Sequence, residues 1–130
     1  MLPNVLVIDD FQSTLDLYAE LLESEQYELE LSTYEFEEPK MIELLKPTII
    51  ILDFQVNQRE RGWQLLDKVK MNPSLSSIPI ILCTPSMLDV REQENYLQDQ
   101  GLVILYKPFN LEKLVQKVQQ LLHLSLSETQ

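Results

Sequence analysis

The feature that most constrains the fold is a set of five short apolar runs, separated by segments with a helical repeat. The runs occupy residues 4–8, 27–32, 48–52, 78–83 and 102–106. Four of them are almost wholly apolar, which is typical of strands buried on both faces of a sheet. In the second run leucine and glutamate alternate over residues 28–31, which predicts an edge strand with one solvated face.

Between the runs, apolar residues recur every three or four positions, as they do on one face of an α-helix. This repeat predicts five helices: residues 12–24, residues 39–45, a third from residue 63 that is ended by Asn72 and Pro73, residues 88–98 and residues 111–122. The fourth has the weakest pattern because its sequence is mostly polar. Strict alternation of strand and helix predicts an α/β fold, a doubly wound five-stranded parallel sheet with five helices on its two faces.

The charge balance narrows the choice of partners. The chain has 21 acidic and 10 basic residues, which gives a net charge of −11 at pH 7. Direct binding of a nucleic acid or of an anionic membrane calls for a basic face, so we expect neither. Cys83 is the sole cysteine, so an intramolecular disulfide is excluded and a reducing, cytoplasmic location is expected.

The length of 130 residues suits one domain with a single core. We expect this domain to span residues 1–124 and to be followed by a disordered tail over residues 125–130. The chain stops after the fifth predicted helix, so we expect no attached output domain. No apolar run approaches the roughly 20 residues that a membrane span requires.

Polar and charged side chains follow four of the predicted strands. Asp9 and Asp10 come after the first strand, Asp53 after the third, Thr84 after the fourth and Lys107 after the fifth. Ligands of a doubly wound parallel sheet bind outside the carboxyl ends of its strands, so we expect these side chains to form the functional site.

The residue types predict phosphoryl chemistry at a metal site. Three carboxylates in a partly dry pocket repel one another, and a Mg²⁺ ion bound by oxygen ligands would relieve that repulsion. Asp53 is the candidate nucleophile towards a phosphoryl group. Lys107 and Thr84 could bind the remaining phosphoryl oxygens.

At these positions the sequence resembles the receiver domains of response regulators, the phosphoacceptor half of two-component signalling. The resemblance rests on "VLVIDD", "IIILD", "ILCT" and "YKPF", in this order, and covers residues 3–122. It implies a flavodoxin-like sheet with strand order 2-1-3-4-5 in a bacterial signalling protein that is not itself an enzyme. It also implies that Asp53 accepts a phosphoryl group from the histidine of a kinase or of a phosphotransfer protein.

The resemblance also implies roles for the other strand-end residues. Asp9 and Asp10 would hold Mg²⁺ together with Asp53 and the backbone carbonyl of Gln55. Thr84 would be the switch hydroxyl and Lys107 the phosphate-contacting lysine. A cis peptide bond is expected between that lysine and Pro108. The surface of the fourth helix, fifth strand and fifth helix is the expected site for a downstream protein or for a second copy of the chain.

Several positions depart from the receiver pattern. Asn57 stands where a proline is usual, and Gly62 lies one residue later than the usual glycine. Pro85 follows the switch hydroxyl and has no backbone N–H to offer a phosphate. Ile104 occupies the usual aromatic position of the fifth strand, while Tyr106 supplies an aromatic ring on the same face. We therefore expect an intact phosphorylation site and only a modest conformational response to phosphorylation.

Two other functions remain open from the sequence. In a phosphate-independent adaptor, Asp53 would be a structural carboxylate paired with Lys107. A phosphatase of the haloacid dehalogenase type also uses an aspartate nucleophile on a similar fold. That family separates its two aspartates by one residue, whereas Asp9 and Asp10 are adjacent, which disfavours this alternative.

Overall fold

The fold is a five-stranded parallel sheet covered by helices on both faces. The computed structural model describes residues 2–33, 38–55 and 59–128, except for the side chains of residue 59 and of residues 124–128. The strands are β1 Asn4–Ile8, β2 Glu28–Ser32, β3 Ile49–Asp53, β4 Ile80–Pro85 and β5 Leu102–Lys107. All neighbouring strands pair in parallel, in the order β2-β1-β3-β4-β5. The predicted doubly wound sheet and its strand order are confirmed.

Six helices connect the strands within the described residues. They are α1 Gln12–Leu22, α2 Pro39–Leu45, α3 Arg59–Met71, α4 Leu88–Glu92, α5 Glu94–Asp99 and α6 Leu111–Glu128. The prediction of five helices is therefore corrected by one, because the fourth predicted helix is divided at Gln93 into α4 and α5. Each of these short helices buries one residue, Val90 in α4 and Leu97 in α5. So small an apolar face provides little packing energy to hold one continuous helix.

Three residues lie at or near helix ends where their residue type is favoured. Pro39 lies in the first turn of α2. The side chain of Asn110 accepts a hydrogen bond from the backbone N–H of Glu112 at 2.8 Å, which caps the start of α6. Gly101 ends the segment after α5 with a φ of +89°, a conformation that favours glycine. The backbone of α6 is helical to Glu128 and thus extends into the segment that the sequence assigns to a tail.

Alternate residues of the strands point to opposite faces and build two apolar layers. Ile50 and Leu52 of β3 belong to the layer beneath α2, α3, α4 and α5, whereas Ile49 and Ile51 belong to the layer beneath α1 and α6. Asp53 continues the second series by its position in β3, and the next residue, Phe54, returns to the first. Successive residues at the end of β3 therefore point to opposite faces of the sheet.

Gly62 in α3 lies close to the ring of Phe54. A β-carbon at position 62 would stand 2.4 Å from Cε1 and 2.5 Å from Cδ1 of that ring. The ring is fully buried and makes an edge-to-face contact with Trp63, with 5.2 Å between the ring centroids. The close approach of α3 to the residue after Asp53 thus requires a glycine.

Among the residues that the structure describes, no helix has both the length and the apolar character that crossing a bilayer would require.

Candidate functional site

Asp53 ends the central strand β3 and is almost entirely buried, with 1% of its surface exposed. Its register partner in β4 is Cys83, and on the other side Leu52 pairs with Ile8 of β1. The carboxyl ends of β1, β3 and β4 therefore meet around this carboxylate, as the sequence predicts for a doubly wound sheet.

Lys107 contacts Asp53 directly. Its Nζ lies 2.6 Å from Oδ1 of Asp53 and donates a second hydrogen bond to the backbone carbonyl of Phe54 at 3.2 Å. The lysine side chain is 26% exposed, so the ion pair borders solvent on one side only. The peptide bond between Lys107 and Pro108 is cis, as the resemblance implies.

The hydroxyl of Tyr18 contacts the same carboxylate from α1. It donates a hydrogen bond to Oδ2 of Asp53 at 2.5 Å, and the tyrosine is only 5% exposed. In the sequence, Tyr18 is one of the apolar residues whose helical repeat predicts the first helix, and nothing there assigns it to the site. The hydroxyl of a buried tyrosine usually has a hydrogen-bond partner. That requirement is the one signal in the sequence that could have indicated a polar contact for Tyr18.

The side chain of Gln55 lies between two carboxylates. Its Nε2 donates to Oδ1 of Asp53 at 2.9 Å and contacts the two carboxylate oxygens of Asp9 at 3.3 and 3.4 Å. The resemblance to receiver domains implies a role only for the backbone carbonyl of this residue. The amide N–H₂ is a hydrogen-bond donor with partial positive charge. Its place between the two carboxylates shows that Asp9 and Asp53 face each other across this side chain.

Burial raises the pKa values of both carboxyl groups. The pKa of Asp9 is raised from 3.8 to about 6, first by burial and then by the nearby charge of Asp53. Burial also raises the pKa of Asp53, and the hydrogen bonds from Lys107 and Tyr18 offset this only in part. Both carboxylates therefore pay a desolvation cost in the folded protein that a bound cation would reduce.

Asp10 points to a different partner. Its Oδ2 accepts a hydrogen bond at 3.1 Å from Nη1 of Arg61, in the first turn of α3. Within the described part of the chain, no group of three or more acidic, histidine or cysteine side chains is arranged to hold a metal ion. The expectation that three carboxylates crowd together is thus corrected: Asp9 lies near Asp53 through Gln55, whereas Asp10 pairs with Arg61.

Thr84 is fully buried at the end of β4, and its hydroxyl donates to the backbone carbonyl of Pro85 at 2.9 Å. Pro85 itself is the last residue of β4 and is paired in register with Lys107. Asn57 and Gln58, in the loop where the sequence departs from the receiver pattern, lie outside the described residues.

Ile104 and Tyr106 pack against the same apolar layer, as their spacing in β5 predicts. The hydroxyl of Tyr106 donates to Oε1 of Glu94 in α5 at 2.7 Å. The guanidinium of Arg91 in α4 lies 4.0 Å from the centre of the tyrosine ring, within the range of a cation–π contact. Tyr106 thereby connects the end of β5 to both short helices.

A cleft of about 330 Å³ opens beside Asp53, between α1 and the loop after β5. Its walls include Tyr18, Asp53, Lys107, Leu17, Phe109 and Leu111. The buried carboxylate therefore borders a space that a small molecule can enter.

We expect the Asp9→Asn variant to be more stable than the wild type at pH 7.5, by about 1 to 3 kcal/mol. The folded-state pKa of Asp9 is about 6 and that of the unfolded chain about 3.8. The folded protein therefore binds more protons between these pH values, and its stability falls as the pH rises through them. Urea unfolding in the presence of a chelator, at pH 7.5 and below pH 4, measures the effect, which should vanish at the lower pH.

Asp67→Asn is the matched control for this change, because it removes one negative charge from an exposed position of α3. If both variants gain the same stability at pH 7.5, the gain reflects net charge and the local explanation fails.

The sequence matches the family model described as the response regulator receiver domain over residues 5–119. No curated protein matches the sequence.

Solved structures with a similar fold come from several bacteria. The signal receiver domain of a putative Luxo repressor protein from Vibrio parahaemolyticus has a TM-score of 0.79 and 26% identity, covering 99% of this chain and 96% of that chain. A receiver-modulated diguanylate cyclase from Pelobacter carbinolicus has a TM-score of 0.75 and 26% identity, covering 98% of both chains. The chemotaxis response regulator CheY4 of Vibrio cholerae has a TM-score of 0.72 and 25% identity, covering 93% of this chain and 99% of that chain.

Proposed function

The chain belongs to the family of response regulator receiver domains, and from that membership we propose that Asp53 accepts a phosphoryl group and that the phosphorylated chain signals through contacts with other proteins. Receiver domains act in phosphoacceptor signalling, as a rule without enzymatic activity of their own. The observation that carries the proposal for this chain is the ion pair of 2.6 Å between Lys107 and the buried carboxylate of Asp53.

The proposed reaction transfers a phosphoryl group from a phosphohistidine to Asp53. A carboxylate oxygen attacks the phosphorus, a P–O bond forms and the P–N bond breaks. The electron pair of the broken bond stays on the imidazole, which takes a proton. Lys107 is suited to contact the transferred group, because its ammonium already lies beside the attacking carboxylate and can neutralise phosphoryl charge.

Receiver domains generally bind Mg²⁺ at the phosphorylation site. The oxygen atoms near Asp53 suit such a cation. The carboxylates of Asp9 and Asp53 lie on either side of the Gln55 amide, so two negative groups are close enough to share a positive ion. These two carboxylates and the backbone carbonyl of Gln55 would hold the cation, and Asp10, which pairs with Arg61, would be a further ligand. The ion would supply neutralisation of charge on the phosphoryl oxygens.

The proposed phosphoryl donor is a histidine kinase or a phosphotransfer protein in the cytoplasm. The proposed output surface is the face of α4, α5, β5 and α6, which would bind a downstream protein or a second copy of the chain. The contacts of Tyr106 with Glu94 and Arg91 support this assignment, because they connect the strand next to the site with the two helices of that face.

A phosphate-independent adaptor remains the second candidate. It is favoured by Pro85, which offers no backbone N–H to a phosphoryl group, and by the Thr84 hydroxyl, which donates to the carbonyl of that proline. The match to receiver domains leaves the haloacid dehalogenase alternative without support.

The wild-type protein should gain the mass of one phosphoryl group when it is incubated with Mg²⁺ and phosphoramidate, a small donor with a P–N bond. The gain should be lost on addition of a chelator, and the adduct should survive acid but not base, as an acyl phosphate does. Intact-mass spectrometry measures both. A protein that stays unmodified under these conditions would favour the adaptor function.

A further inference from the structure

Tyr18 makes a hydrogen bond that the phosphoacceptor chemistry must change. Its hydroxyl donates to Oδ2 of Asp53 at 2.5 Å, inside the apolar layer beneath α1 and α6. Lys107 and the amide of Gln55 contact the other oxygen, Oδ1. Before phosphorylation, the tyrosine hydroxyl donates to an oxygen of an ionised carboxylate. After phosphorylation of either oxygen, the same hydroxyl faces an oxygen of an acyl phosphate.

We propose that Tyr18 limits the lifetime of the phosphorylated state by hydrogen bonding more strongly to the free Asp53 carboxylate than to its acyl phosphate. This inference rests on the proposed function of Asp53 and assigns a further residue to that site. A hydrogen bond to a charged acceptor is stronger than one to a neutral acceptor. The hydroxyl therefore stabilises the unphosphorylated form relative to the phosphorylated form.

The hydrogen bond from Tyr18 also affects the rate at which the acyl phosphate is hydrolysed. A water molecule attacks the phosphorus, the P–O bond to Asp53 breaks, and the carboxylate leaves with the electron pair. The proton of the water passes to the released phosphate or to solvent. Negative charge returns to the carboxylate as the bond breaks, and a donor already aimed at one of its oxygens stabilises that charge.

A purely structural role for the hydroxyl can be separated from this one, because the chain offers a matched tyrosine. Tyr27 is also buried, and its hydroxyl donates to the backbone carbonyl of Leu22 at 2.6 Å. Both substitutions to phenylalanine keep the ring and remove one buried hydrogen bond. Tyr27→Phe therefore reproduces the loss of folding stability expected for Tyr18→Phe, and it leaves the hydrogen bond between Tyr18 and Asp53 in place.

The test phosphorylates the wild type, Tyr18→Phe and Tyr27→Phe with phosphoramidate and Mg²⁺, removes the donor and follows the adduct by intact mass. We expect the adduct of Tyr18→Phe to decay about fivefold more slowly than that of the wild type. The adduct of Tyr27→Phe should decay at the wild-type rate. In urea, where the site is unfolded, all three adducts should decay alike.

Equal or faster decay of the Tyr18→Phe adduct would overturn the inference and leave the proposed function intact. Equal slowing in Tyr27→Phe would also overturn it, since that result would indicate a general effect of stability. If none of the three proteins is phosphorylated, the proposed function fails and this inference fails with it.

Discussion

The Asp53→Asn variant is expected to take up no detectable phosphoryl group from phosphoramidate and Mg²⁺. The substitution preserves the size of the side chain but replaces an ionised nucleophile by a neutral amide, whose nitrogen lone pair is delocalised into the carbonyl. It also removes the charge that pairs with Lys107 at 2.6 Å. Intact-mass spectrometry of the variant and the wild type, treated in parallel, measures the loss.

Asp67→Asn serves again as the control, because this exposed carboxylate on α3 should be dispensable for labelling. An acid-stable adduct that forms on Asp53→Asn at the wild-type rate would place the acceptor elsewhere. Peptide mapping of that adduct would then identify the residue.

The Gly62→Ala variant is expected to lose about 3 kcal/mol of folding stability, near the upper end of the usual cost of overpacking a core. A β-carbon at this position would lie 2.4 Å from the ring of Phe54. That ring is fully buried and held by its contact with Trp63, so it has little room to move. Urea unfolding monitored by circular dichroism measures the loss.

A double-mutant cycle tests whether the ring is the cause. In a Phe54→Leu background, where the ring is absent, Gly62→Ala should cost less than about 1 kcal/mol. Gln64→Ala, at an exposed position of the same helix, should change stability by no more than about 0.5 kcal/mol. A full loss of stability in the Phe54→Leu background would show that the clash with the ring is not the reason.

The sheet could be predicted from the sequence because a strand that is buried on both faces needs an almost continuous run of apolar residues. Residues 49–52, for example, are all apolar, and the alternation of such runs with helical segments leaves a parallel sheet as the simplest arrangement. The division of the fourth predicted helix was not predictable in the same way. Residues 88–98 are mostly polar, and periodicity alone does not say that Gln93 interrupts the helix.

The positions of Asp53 and Lys107 at strand ends predict that these two residues meet. The other contacts of the candidate site could not be predicted in this way. A parallel sheet brings Asp53 and Lys107 to one edge, and the structure places them 2.6 Å apart. The hydroxyl of Tyr18 and the pairing of Asp10 with Arg61 depend on side-chain directions across 35 and 51 residues of sequence. The alternation of β3 contained part of the information, because it assigns Asp53 to the same face as Ile49 and Ile51, the face that α1 covers.

The exposed glutamates of β2 bear on how copies of this chain meet. β2 is the outermost strand on its side of the sheet and is only five residues long, with Glu28 and Glu30 exposed. A sheet edge has unpaired backbone groups that invite a strand from another molecule, and two carboxylates repel an identical edge. This border of the apolar sheet is thereby protected against edge-to-edge aggregation. The protection is electrostatic, so it weakens as salt screens the glutamates.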